Sequence, residues 1–364
     1  MPRELHPVAW WLWAAGLAVA VDRTTNPLLL LLTLAVLGFV VASRRGAAPW
    51  ARAFRYYVML AGAVIVLRVV FRMAFPSGIA PTDHILFRLP RIPTPRWYAG
   101  VQIGGPVSLE ATLSAAIDGL RLGTMLCCVG AANALANPKR ALRVLPGALY
   151  ELGVAIAVAV TLAPQLIESV QRVARARRLR GGRGRGLRGL RAVTVPVLAD
   201  ALERSLMLAA AMDSRGYGRS DTSSRGARRI TGALMIAGSA GLCVGVYGLL
   251  DASVPRLLGV PMLLAGAAIS CGGLALGGRR VRRTRYRPDP WRAPEWAVAL
   301  CGALSAAVLW LSAGTDAAAI DPTFSPLHFP PLPALPAIAI LIAAIPGFAA
   351  PPPPRRLARA ELPA

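Results

Sequence analysis

Long apolar segments recur along the chain and are separated by short polar segments that carry arginine and proline. An α-helix needs about 20 apolar residues to cross a hydrocarbon core of about 30 Å. By this measure the pattern predicts eight membrane-spanning helices, which cover residues 8–21, 26–43, 54–75, 111–136, 228–250, 257–277, 294–313 and 333–350. The predicted fold class is therefore all-α, a polytopic membrane protein.

The first two spans are separated only by the segment "DRTTNP". Asn26 is a residue type that caps helices, and Pro27 suits the first position of a helix. The two spans are therefore predicted to form a hairpin.

A further apolar segment, residues 153–163, is about half the required length and ends at Pro164. Arginine and lysine near span ends favour the cytoplasm, and basic residues flank this segment on both sides. We therefore predict that the segment does not cross and that both chain termini are cytoplasmic. The chain then divides into N-terminal transmembrane helices (1–137), a cytoplasmic coupling insertion (138–227), C-terminal transmembrane helices (228–350) and a cytoplasmic tail (351–364).

The positive charge of the chain comes almost entirely from arginine. Lys and Arg outnumber Asp and Glu by 41 to 17, and Lys139 is the only lysine. A phosphate-binding loop needs a Gly-rich turn followed by Lys and Ser or Thr, and Lys139 stands in "NPKR" without such a turn. The five cysteines and three histidines are scattered without the spacing of a metal site. We therefore predict no catalytic residue, no metal site and no directly bound cofactor.

Two amphipathic helices are predicted within the insertion, over residues 164–180 and 196–215. Each one ends in an Arg-Gly pair, in "RRLRGG" and in "DSRGYG". Glycine adopts the left-handed conformation that closes a helix. The arginine before it extends a planar guanidinium beyond the helix end, which suits bidentate pairing with carboxylates of a partner.

Two other interpretations fit the same residues. Ordinary glycine-capped helices near an anionic membrane surface would also be rich in arginine. Binding of nucleic acid through "RGGRGRGLRGLR" is disfavoured because this tract has no aromatic residue for base stacking.

Several segments resemble the transmembrane T component of energy-coupling factor (ECF) transporters, the EcfT/CbiQ family. They are "TTNPLLLL", "NPKRAL", "LYELGVAIAVAVTLAPQLIESVQRVARARRLRGG" and, most specifically, "AMDSRGYG", within residues 5–250. The resemblance implies a non-catalytic subunit of an ATP-driven importer in the plasma (inner) membrane of a prokaryote. It implies as partners two ABC-type ATPase subunits, which bind the ATP, and a substrate-binding S component. The imported cargo would be a vitamin or a transition-metal ion such as cobalt.

The resemblance also implies which residues bind the ATPases. The second Ala-Arg-Gly-type motif of the family falls on Ser214, Arg215 and Gly216, with Ser in the place of Ala. Arg215 would contact an ATPase and Gly216 would shape the helix end.

The first motif of the family falls on Leu179, Arg180 and Gly181, with Leu in the place of Ala. Because of this departure, Arg177, which follows Ala176, is an alternative position for the first docking arginine. The three C-terminal spans, over residues 257–277, 294–313 and 333–350, are additional to the spans of the smaller members of the family.

Among the charged residues within predicted spans, two are placed at matching positions. Arg68 and Asp118 each lie about eight residues from the outer end of a span, so they are predicted to meet at a similar depth. Charges within a membrane are usually paired or functional. A structural ion pair between helices and a path for an ion or proton are both consistent with this placement.

A stand-alone secondary transporter is the main alternative function, and it would be expected to show matched halves with broken helices. No matched halves are evident in the sequence. A membrane enzyme would require clustered His, Asp or Glu in the spans. The lipid bilayer is an expected partner, and nucleic acid is not.

Overall fold

The structure is a computed structural model that describes residues 3, 5–46, 53–75, 84–90, 104–137, 140–141, 149–180, 187–216, 225–250, 255–280, 290–324 and 328–351. It is almost wholly helical, and the predicted all-α class is confirmed. Within those ranges, seven helices are long and apolar enough to cross a membrane. The chain is a multi-pass membrane protein.

The described elements are, in chain order, α1 (Pro7–Asp22), α2 (Pro27–Arg44), α3 (Phe54–Ala74), β1 (Ile85–Arg88), β2 (Pro106–Ser108), α4 (Leu109–Leu135), α5 (Tyr150–Leu179), α6 (Leu187–Ser214), α7 (Arg225–Leu250), a 3₁₀ turn (Arg256–Leu258), α8 (Val260–Arg280), α9 (Ala293–Thr315), α10 (Ala317–Ile320), α11 (Ala334–Ile342) and α12 (Pro346–Ala349). They form two compact units. The first unit combines residues 1–141 with 288–364, and the second comprises residues 142–287.

In the first unit, α1 and α2 are joined by the predicted tight turn, and α1 packs mainly against α9 and α4. The side-chain oxygen of Asn26 accepts a hydrogen bond from the Leu28 N–H at 3.0 Å, which confirms the predicted cap. The Asn26 amide also donates to the carbonyl oxygens of Ala319 and Pro331 at 2.9 and 2.8 Å. The turn between α1 and α2 is thus held by the C-terminal part of the chain.

Helices α3 and α4 pack closely because glycines of α4 face α3. A Cβ atom on Gly123 would lie 2.9 Å from the Ala61 Cβ, and one on Gly130 would lie 2.5 Å from the Tyr57 ring. The Asn133 amide donates to the Tyr57 hydroxyl at 2.7 Å. These contacts leave most of α3 exposed, with only Ala61 buried, so its outer face is available to lipid or to a partner.

The C-terminal helices belong to the same core as α1 and α2. Near the start of α9, the Arg3 guanidinium donates to both carboxylate oxygens of Glu295, at 2.8 and 2.9 Å. The Trp13 indole donates to the Ala343 carbonyl at 3.1 Å, and the Ser305 hydroxyl donates to the Ala339 carbonyl at 2.7 Å.

Six of the eight predicted spans correspond to helices that are long and apolar enough to cross a membrane. The first predicted span is a helix of only 16 residues. The last one is broken, because α11 ends at Ile342 and α12 begins at Pro346, where proline has no N–H to continue the helix. The last predicted span therefore corresponds to the short apolar segment Ala334–Ala349, which contains this break. The antiparallel strands β1 and β2 were not predicted.

In the second unit, the two helices of the insertion begin earlier than predicted. The apolar segment 153–163 and the helix predicted from Pro164 are one helix, α5, which is 30 residues long. Pro164 lies inside α5, and Pro196 lies inside α6, which begins at Leu187. A proline removes one hydrogen bond of a helix without necessarily ending it. Both predicted starts are therefore wrong, and α5 is itself long and apolar enough to span a membrane.

The remaining helices of the second unit, α7 and α8, pack on each other through small residues. A Cβ on Gly245 would lie 2.6 Å from the backbone of Leu263, and one on Gly266 would lie 2.5 Å from the backbone of Leu242. The sequence analysis divided the chain into four parts according to the side of the membrane on which each part lies. This division stays a prediction.

Candidate functional site

Helices α5 and α6 contact each other through a polar cluster near the middle of both helices. The Ser169 hydroxyl of α5 donates a hydrogen bond of 2.7 Å to Oδ2 of Asp200 on α6. The other carboxylate oxygen, Oδ1, accepts a hydrogen bond of 3.0 Å from Nε of Arg204, one turn further along α6. Ser169 is 2% exposed and Val197, one turn before Asp200, is 8% exposed. We refer to Ser169, Asp200 and Arg204 as the clasp.

The charge of Asp200 is stabilised by these contacts. The hydrogen bond from Ser169 lowers the pKa of the Asp200 carboxyl most, followed by the hydrogen bond from Arg204, and the positive charges of Arg204 and Arg172 add to the effect. The carboxylate therefore stays ionised, and it keeps accepting from both helices, throughout the neutral and mildly acidic range.

The end of α6 places Arg215 in an exposed position. The Arg215 and Gly216 N–H groups donate to the carbonyl oxygens of Met212 and Asp213 at 3.1 and 2.9 Å. Gly216 has a φ of 75°, which is the left-handed conformation that glycine adopts at low cost. The Ser214 hydroxyl donates to the Ala211 carbonyl at 3.0 Å. The prediction that Gly216 closes this helix in the left-handed conformation is confirmed.

The end of α5 has a similar exposed arginine. The Arg180 N–H donates to the carbonyl oxygens of Ala176 and Arg177, each at 3.2 Å. Arg180 is exposed, and Leu179 beside it is 89% exposed. Arg177 is half-buried and has an interaction of its own, so Arg180 is the more accessible of the two candidates. Gly181 lies outside the described residues.

The structure brings Arg68 and Asp118 to neighbouring positions on α3 and α4. The Arg68 Cβ lies 3.4 Å from the place that a Cβ on Gly119 would occupy. Both charged residues are exposed, and no ion pair joins them in the described part of the chain. Pairing of the two side chains within a membrane stays a prediction.

The clasp was not identified from the sequence. Ser169 and Asp200 are 31 positions apart, and hydrophobic periodicity does not report which polar side chains of two helices meet. The spacing of Asp200 and Arg204 by four residues was a usable signal, because such pairs lie on one face of a helix. Within the described ranges, no three His, Cys, Asp or Glu side chains are grouped as a metal site would require.

Comparison with known protein families shows which family the chain belongs to. Residues 1–224 match the model of the CbiQ family, described as cobalt transport protein. No curated protein matches the chain. The matched residues include α1 to α6 with both arginine ends, and α7 to α12 lie outside the match. Since the match covers more than half of a multi-pass membrane protein, the chain belongs to the CbiQ cobalt transport protein family.

Proposed function

We propose that this chain is the transmembrane coupling subunit of an ECF-type importer. In this proposal two ABC-type ATPases bind the arginine ends of α5 and α6, and their ATP-driven motion reaches a substrate-binding S subunit through these helices. The chain itself binds no cofactor, and ATP binds to the partner ATPases. Both termini and residues 138–227 are on the cytoplasmic side.

The observation that carries the proposal is the end of α6. An exposed arginine follows a helix of 28 residues, and the helix is closed by a glycine with a φ of 75°. The Arg215 and Gly216 N–H groups donate to the carbonyl oxygens of Met212 and Asp213, so the guanidinium extends from a hydrogen-bonded helix end. A guanidinium in this setting can pair with carboxylates of a partner through two parallel hydrogen bonds.

The end of α5 presents a second exposed arginine, Arg180. Arg180 and Arg215 are the proposed docking residues for the two ATPases, with Arg177 as the alternative for the first. Gly181, Ser214 and Gly216 shape the two ends. Since each helix has one such end, two ATPases can bind at once, one per helix.

The test is copurification of the ATPases with the membrane subunit. Replacing Arg215 by Ala removes one partner of a charged contact that is desolvated in the complex, which typically weakens association by about 2–5 kcal/mol. Arg191→Ala is the matched control, because Arg191 is also an exposed arginine of α6 but lies far from the C-terminal end of that helix.

We expect the Arg180→Ala, Arg215→Ala double variant to insert in the membrane and to lose both ATPases, while Arg191→Ala retains them. Normal recovery of both ATPases with the double variant would contradict the proposal. Uptake of substrate by vesicles that contain the chain without any ATPase would instead favour the stand-alone secondary transporter.

The family description favours cobalt as the cargo, and a vitamin or another transition-metal ion is the alternative. In ECF transporters substrate selection belongs to the S subunit. Uptake of Co²⁺ by vesicles that contain the complete complex, measured with and without ATP, tests this assignment.

A further inference from the structure

The polar contact between α5 and α6 differs from its surroundings on both helices. Large apolar side chains near it are exposed, including Ile167 and Val170 on α5 and Leu198 and Leu202 on α6, each between 43% and 63% exposed. An apolar contact between the helices was therefore available from neighbouring positions. The buried residues at this contact are Ser169 and Val197, and the Ser169 hydroxyl meets the Asp200 carboxylate.

The geometry of the clasp makes the contact directional. Asp200 uses one oxygen for Ser169 of the other helix and the second oxygen for Arg204 of its own helix. Arg204 thereby fixes the orientation of the carboxylate that Ser169 contacts. Near the clasp only Ser169 and Val197 are buried among the described side chains of the two helices, so few interlocked side chains oppose a change in the angle between them.

The clasp lies partway along each helix. The segment between the clasp and the arginine end of each helix can therefore act as an arm. Arg180 lies 11 positions after Ser169 and Arg215 lies 15 positions after Asp200, which at a rise of about 1.5 Å per residue gives arms of about 16 and about 22 Å. A change of angle at the clasp therefore moves both arginine ends together, each by a distance that grows with the length of its arm.

We infer that the Ser169–Asp200 hydrogen bond is the fulcrum of the coupling helices, at which motion of one arginine end is passed to the other helix. This inference rests on the proposed function. Asp200 and Ser169 are positioning residues in this role, because they contact neither ATP nor cargo.

The experiment uses the complete complex of the chain with its two ATPases and its S subunit, reconstituted in lipid vesicles. Spin labels at Arg175→Cys on α5 and Arg191→Cys on α6, in a background without the five native cysteines, report the distance between the helices with and without ATP. ATP hydrolysis and Co²⁺ uptake are measured on the same vesicles. The distance readout does not depend on the identity of the cargo.

We expect Asp200→Ala and Ser169→Ala to retain both ATPases, to lose the ATP-dependent change in distance, and to lower Co²⁺ uptake per ATP hydrolysed by about tenfold, which corresponds to about 1.4 kcal/mol. Glu203→Ala and Ser205→Ala are matched controls. Glu203 is an exposed carboxylate of the same helix, and the Ser205 hydroxyl donates only within α6, to Ala201 at 2.8 Å. Both controls should behave as the unmodified chain.

The exchange Ser169→Asp with Asp200→Ser places the hydroxyl and the carboxylate on opposite helices and keeps the contact available. It should restore the ATP-dependent change in distance if either single variant folds poorly. The inference is overturned if Asp200→Ala retains that change, if the exchange fails to restore it, or if Asp200→Ala loses the ATPases. Retention of ATPases by the Arg180→Ala, Arg215→Ala variant would overturn the proposed function instead, so the two failures are distinguishable.

Discussion

Gly16 of α1 and Gly302 of α9 bring the backbones of these two helices into direct contact. A Cβ atom on Gly302 would lie 2.5 Å from the Trp13 carbonyl oxygen, and a Cβ on Gly16 would meet the Gly302 carbonyl group. Gly302 lies outside the residues that match the family, and Gly16 lies within them. The C-terminal helix α9 is therefore packed into the core that the family segment forms, rather than attached to its surface.

This contact predicts that Gly302→Val destabilises the protein. Added methyl groups in a close-packed contact typically cost about 1–3 kcal/mol, and here they would meet backbone that cannot move alone. Gly314→Val is the control, since a Cβ on Gly314 meets nothing within 4 Å in the same helix. We expect a lower thermal midpoint in detergent for Gly302→Val only. Equal midpoints for the two variants would show that α1 and α9 are not in backbone contact.

The Arg3–Glu295 ion pair predicts a second effect on stability. The Glu295 side chain is 1% exposed, and besides Arg3 it accepts from the Arg292 N–H at 3.1 Å. Removing Arg3 leaves the buried Glu295 carboxylate without its positive partner; for a fully buried pair this costs about 3–5 kcal/mol, and the partial exposure of Arg3 makes the cost smaller here. We expect Arg3→Met to lower the thermal midpoint strongly, and Arg3→Met with Glu295→Gln to recover part of the loss. A double variant as unstable as the sum of both single variants would argue against a coupled pair.

The positions of most helices could be predicted from the sequence, because apolar length and arginine flanks report them directly. Proline was the source of the wrong helix starts. Pro164 and Pro196 lie inside helices, whereas Pro346 begins a new one. The pattern around each proline does not separate these cases, because neighbouring contacts decide whether the lost hydrogen bond is tolerated.

The two arginine ends could also be predicted, since Arg-Gly after an amphipathic segment is a local signal, and Gly216 has the conformation expected for it. The clasp could not be predicted in the same way. It joins residues of two helices, and which faces of α5 and α6 meet depends on their three-dimensional packing rather than on local sequence.

The length of α5 makes its position in the membrane testable. We expect residues 141 and 179 to lie on the same, cytoplasmic, side, because basic residues occur near both ends of this segment. Single cysteines at Ala141 and Leu179, in a background without native cysteines, should both react with a membrane-impermeant maleimide in inside-out vesicles only. Reaction from opposite sides would show that α5 crosses the membrane and that the cytoplasmic insertion begins after it.

The lowered pKa of Asp200 predicts how the clasp depends on pH. A folded-state pKa below the ordinary value of 3.8 means that the carboxylate stabilises the contact at all higher pH values, and that this contribution is lost as the pH falls through the lower folded-state pKa. Ser169 and Arg172 face Asp200 from α5, and Arg204 faces it from α6. We expect the distance between labels at residues 175 and 191 to be constant from about pH 8 to about pH 5. A change within that range, absent in Asp200→Asn, would contradict the lowered pKa.

Arg68 and Asp118 predict the outcome of a charge exchange within the membrane. The Arg68 Cβ adjoins Gly119, and consecutive Cα atoms are about 3.8 Å apart, so rotation of the two side chains can bring their charges together. An unpaired charge within a span costs about 2.5–3.5 kcal/mol on insertion scales, which favours pairing in lipid. We therefore expect Arg68→Asp alone to reduce the yield of folded protein, and Arg68→Asp with Asp118→Arg to restore it. If the exchange folds but abolishes uptake, the two charges serve an ion or proton path, and if it does not fold, each charge has a different partner.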